Sequence, residues 1–133
     1  MILPTEVCRT RFAAADRAFL ATTGLDLRPH VVPVTFTLTG DVVVIAVDHK
    51  PKTSRNLRRL RNLTENPRAT LLVDHYAPDW TKLWWIRADC TASVMPEYPL
   101  DTLAAKYPQY AETPPAGPFI VASVDQWTGW SAS

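Results

Sequence analysis

From Trp84 to Val94 the chain alternates strictly between apolar and mixed side chains. Trp84, Ile86, Ala88, Cys90, Ala92 and Val94 fall on one side, and Trp85, Arg87, Asp89, Thr91 and Ser93 on the other. A period of two is the signature of a β-strand, whose successive side chains point to opposite faces. A strand of this kind belongs to an antiparallel sheet, with one face packed and the other wet or functional. No helical packing satisfies that pattern over such a length.

The rest of the chain supplies partners. Arg17–Thr23 reads as a short apolar strand followed by a turn at Gly24-Leu25-Asp26. Pro29–Leu38 reads as a strand with Val32, Val34, Phe36 and Leu38 on one face. Pro33, on its other face, donates no ladder hydrogen bond, which places it at an edge, a bulge or a ligand site. Thr39-Gly40-Asp41 makes a tight turn into Val42–Val47, a continuous apolar run suited to a strand covered on both faces. Ala69–Asp74 and Phe119–Trp127 complete six strands. Helices are expected over Thr5–Asp16, from Thr53 or Ser54 to about Leu63, and over Leu100–Tyr110. The middle one buries a Leu57, Leu60 and Leu63 stripe. The expected fold is mainly β: a single domain over residues 1–133, with six antiparallel strands closed into a small barrel that removes edges, and peripheral helices.

Several function classes fall away. The four glycines, Gly24, Gly40, Gly117 and Gly129, are too scattered for a dinucleotide fingerprint, a P-loop or a nucleophile elbow. Cys8 and Cys90 are expected as reduced thiols rather than a disulfide scaffold. The first twenty residues carry Glu6, Arg9, Arg11, Asp16 and Arg17, which break any apolar leader, and no apolar run approaches the roughly 20 residues that span a bilayer. A soluble, cytoplasmic protein with no membrane partner is expected. His30, His49 and His75 lack metal-ligand spacing, so no metal is expected. No nucleophile–base set and no acid–base pair stands out, and no catalytic side chain is assigned. If the chain is an enzyme, its reactive atoms belong to a cofactor.

Charge is informative through its distribution. Net charge is +1, but Lys50, Lys52, Arg55, Arg58, Arg59 and Arg61 put +6 between His49 and Thr64, leaving −5 for the remainder. A helix start offers free N–H groups and a positive dipole end. Hydroxyls at Thr53 and Ser54 add donors, and Lys52, Arg55 and Arg59 are placed to clamp phosphate or carboxylate oxygens. A solvated basic helix face satisfies the same pattern. Nucleic acid is set aside because the remaining surface is net negative and the pI is near 7.8. Trp80, Trp85, Trp127 and Trp130 are hard to bury together, so core packing competes with stacking on a flat ligand or with a dimer interface.

Taken in order, five segments carry a resemblance. They are Arg28-Pro29-His30-Val31-Val32-Pro33-Val34, Asp48-His49-Lys50-Pro51-Lys52, Asn66 to Asp74, Leu83 to Asp89, and Trp127-Thr128-Gly129-Trp130. Together they resemble the pyridoxamine-phosphate-oxidase-like (PPOX class) superfamily. Within it they are most similar to the F420-dependent oxidoreductases of actinobacteria, the flavin/deazaflavin oxidoreductase B group. The resemblance implies a PNPOx-like, FMN-binding split β-barrel with Greek-key character, and a homodimer with cofactor grooves along the subunit interface. It places the ring of coenzyme F420 near Val32, Pro33 and Val34, and the phosphate end near Lys50, Lys52, Thr53, Ser54, Arg55 and Asn56. Either Lys50 or Lys52 takes the phosphate. Trp127 and Trp130 would come from the partner's last strand. The implied activity is hydride transfer from reduced deazaflavin to a small-molecule acceptor: an enone, a quinone or a tetrapyrrole-like compound. FMN as cofactor of the same fold, or a non-catalytic F420 or haem carrier, are the alternatives. A segment of +6 suits the multiply anionic F420 better than it suits FMN.

Overall fold

The computed structural model describes residues 1–47 and 57–133. Seven strands form one antiparallel sheet: β1 (Ala18–Thr23), β2 (Pro29–Val34), β3 (Thr37–Thr39), β4 (Val42–Ala46), β5 (Arg68–His75), β6 (Trp84–Met95) and β7 (Phe119–Ser131). Their hydrogen-bonded order is β2-β1-β5-β6-β7-β4-β3. The two ends of that order, β2 and β3, are consecutive in the chain, with only Thr35 and Phe36 between them. Three Cα steps from Val34 to Thr37 reach about 11 Å at most. The sheet must therefore curl until its ends meet, and the result is a barrel split where β2 and β3 do not pair.

The expected strand over Pro29–Leu38 is thus two strands, and the count is seven where six were expected. The physical reason is Tyr107. Its hydroxyl accepts from the Phe36 N–H at 3.1 Å and lies 3.0 Å from the Phe36 carbonyl, so Phe36 leaves the ladder. The Phe36 side chain turns fully into the core. The interior is built from the inward halves of the strands, with Leu20, Ile45, Leu71, Ile86 and Ile120 buried beside Phe12 and Phe36. Each such side chain contributes about 1.5–3 kcal/mol by leaving water.

The helices lie outside the barrel. α1 (Thr5–Ala14) buries Cys8 and Phe12 and ends two residues before the expected Asp16. α2 (Arg58–Glu65) starts later than expected. Leu57 is its N-cap, with extended backbone and no side-chain cap bond, and Thr53 and Ser54, expected as caps, lie outside the described residues. The stripe is as expected, with Leu63 buried and Leu57 and Leu60 packed on the core. The helix expected over Leu100–Tyr110 is two pieces, α3 (Asp101–Lys106) and α4 (Pro108–Glu112), because Pro108 interrupts the ladder. β7 runs on to Ser131, so Trp127-Thr128-Gly129-Trp130 lies inside a strand rather than beyond its end. Both cysteines are buried free thiols, and burial, with Asp125 and Asp89 nearby, pushes the Cys90 thiol up to about 12. Among the described residues no helix is long and apolar enough to cross a membrane.

Candidate functional site at the β2 edge and α2

β1 and the β1–β2 turn are tied to α2 at three points. The Arg58 guanidinium meets Asp26 Oδ2 at 3.2 Å, and the Leu25 N–H donates to Glu65 Oε1 at 2.9 Å. Asn62, fully buried, donates from Nδ2 to Thr22 Oγ1 at 3.1 Å. Gly24 makes this closeness possible: a Cβ there would run into Glu65 Oε1 and Asn62 Oδ1. Sequence patterning anticipated the turn but not Asn62, whose only sequence signal is a polar residue beside Leu63 on an otherwise basic helix.

This clamp sets α2 against His30, the partner of Thr22 across β1–β2. His30 Nδ1 and Arg59 Nε are both buried with no hydrogen-bond partner among the described residues. Burial, reinforced by the Arg59 and Arg58 charges, holds the His30 imidazole below its ordinary value. Burial likewise lowers Arg59. Two buried polar atoms without a partner cost about 1–3 kcal/mol each, more on a charged group, and among the described residues neither has one. They fit an anionic group that would accept from the guanidinium.

The residues expected around a cofactor distribute as follows. β2 ends the strand order, which gives Pro33 the edge position its missing N–H requires. Pro33 is exposed, whereas Val32 and Val34 pack on the core. Of these three, only Pro33 turns its side chain to the outer face. Lys50, Lys52, Thr53, Ser54, Arg55 and Asn56 lie outside the described residues. Trp127 and Trp130, three apart on one strand, face opposite sides. Trp127 stands edge-on to Phe12 at 5.1 Å and donates from its indole to Asp41 Oδ1 at 2.9 Å. Arg9 holds the same carboxylate through both oxygens, at 2.8 and 3.1 Å. The Arg9 and then the Trp127 hydrogen bonds keep Asp41 below the usual carboxylate range. Trp130 is 39% exposed and pairs with Trp85, over which Arg87 lies at 5.6 Å. The outer face also exposes Val31 and Leu72.

A seven-strand split barrel with a basic helix packed on β1 and β6 beside the edge strand defines the class of protein. The family model for pyridoxamine 5'-phosphate oxidase matches residues 4–131, and the chain belongs to that family. No curated protein is a match by sequence. Among solved structures, a FAD-binding protein from Mesorhizobium loti is similar with a TM-score of 0.74 at 16% identity, over 97% of this chain and 93% of that one. A conserved hypothetical protein from Mycobacterium tuberculosis gives 0.75 at 13% identity, over 99% and 87%. The haem storage protein HutZ from Vibrio cholerae gives 0.68 at 17% identity, over 98% and 95%. At these identities the likeness is one of fold.

Proposed function

We propose that this protein is an F420-dependent oxidoreductase acting as a homodimer in the cytoplasm. The observation that carries the reading is Arg59 beside His30: Arg59 Nε and His30 Nδ1 are buried atoms with no hydrogen-bond partner among the described residues, next to a segment of concentrated positive charge. Arg59 supplies donors for an anionic cofactor end, and Lys50, Lys52, Thr53, Ser54, Arg55 and Asn56 would supply the rest. The outer face around Pro33 would seat the ring, and the exposed Trp130, Val31 and Leu72 support a face covered by a second copy. Bound there, reduced F420 supplies a hydride equivalent to an electron-poor conjugated acceptor such as an enone, a quinone or a tetrapyrrole-like compound. The protein's own work is to bind, orient and exclude water.

The test is a side-by-side titration with F420, FMN and FAD, on wild type and on Lys52→Ala combined with Arg55→Ala. Two charge-assisted contacts are together worth about a hundredfold in Kd. A wild-type F420 Kd in the double variant overturns the anion seat. A flavin bound in preference to F420 supports the second reading, an FMN- or FAD-dependent enzyme, which the FAD-binding neighbour favours. Hemin in the same panel tests the carrier reading that HutZ suggests.

A further inference from the structure

Away from α2, at the opposite end of β2, the barrel rim opens into a cleft of about 500 Å³. It lies where α1 ends, β1 begins, β5 leaves and β6 enters. Arg11, Asp16, Arg17, Asp74, His75 and Trp84 line it. Its floor is aromatic: His75 stacks on Trp84 at 5.8 Å with 19° between the rings. The Arg11 guanidinium lies over Trp84 at 5.3 Å, and Arg17 lies over Phe19, which also lines the cleft, at 5.8 Å. Among the described residues neither arginine has a carboxylate within ion-pair distance, although Asp16 and Asp74 share the lining. Both guanidinium groups are thus held on rings with their N–H donors free for a ligand, and a planar fork recognises a carboxylate in bidentate fashion. The two aspartates supply acceptors for donors on the same ligand. Phe19 is the cross-strand partner of Pro33, so the cleft adjoins the outer face at the edge strand.

We infer that this cleft is a binding site for a planar aromatic acid that also carries hydroxyl or amino groups. The two arginines take its carboxylate, the Trp84–His75 pair takes its ring, and Asp16 and Asp74 take its donors. That such a compound is the acceptor in the redox reaction rests on the function proposed above; its binding does not.

Isothermal titration calorimetry on the full chain without cofactor tests the assignment, with 3-hydroxy-2-naphthoate as probe and 2-naphthol as the analogue lacking the carboxylate. The acid binds saturably, one per chain, at least about tenfold more tightly than the naphthol. Arg11→Gln combined with Arg17→Gln removes that preference while the circular dichroism spectrum is unchanged. Equal affinities in the wild type, or an undiminished preference in the folded double variant, overturn the site. The wild-type ratio decides even where the double variant does not fold. An F420 titration on the same preparation separates the two claims. Acid binding without F420 binding leaves the cleft and removes the proposed function, and the converse removes the cleft alone.

Discussion

At the residue scale, His30 shows how a side chain can be placed by the chain's pattern and yet be given its chemistry by what packs on it. The sequence puts it on a strand. Only the structure puts Arg58 and Arg59 near it and takes away part of its water. Its folded value is held below the ordinary 6.5, so between that depressed value and 6.5 the unfolded chain binds more protons than the folded one. Stability from this group is therefore full above about pH 6.5 and declines as pH falls below it. Thermal melts between pH 7.5 and 5.0 should show Tm falling with acidity, and His30→Gln should flatten that slope; an unchanged slope in the variant would assign the effect elsewhere. Trp127 teaches a related lesson. As one of five tryptophans it was open to a role in stacking, at an interface or in the core. In the structure it is joined to Asp41 and Arg9 across the barrel wall, a contact between residues too far apart in the chain for spacing to reveal.

At the element scale, what was legible followed from periodicity. β6 is strand over its whole expected length because alternation over eleven or so positions admits no other packing. The α2 stripe was legible for the same reason. Breaks and ends were not, because they depend on distant partners: β2 stops where Tyr107 captures the Phe36 backbone, and β7 continues because β6 offers it Trp84 to Arg87 as partners. The basic segment was legible as charge alone, whereas the link of α2 to the sheet runs through Gly24, Asn62 and Glu65, which carry no periodic signal. Gly24→Ala tests that link. The new methyl collides with Glu65 and Asn62, so the clamp must yield. A loss of about 1–3 kcal/mol in urea unfolding is expected. Hydrogen exchange should quicken in α2 before it does in β6.

At the scale of the whole molecule, the outer face of β2, β1 and β5 exposes Val31 and Leu72 beside Trp130 on β7. A homodimer built on that face should give twice the chain mass by light scattering, and Leu72→Glu combined with Val31→Glu should yield monomers with the same circular dichroism. A wild-type monomer would refute it. The two-residue link between the ends of the strand order has a consequence for time as well as for shape. β4 finds no long partner near it in sequence: Ala46 waits for Phe119, and Phe19 waits for Leu72. Neither pairing is a local hairpin, so much of the loop-closure entropy is spent before the barrel closes. Newly made chain can form the β1–β2 and β3–β4 hairpins early, but β4 lacks its long partner until Phe119 to Ser123 have emerged, and its apolar run is the segment most exposed to wrong partners in that interval.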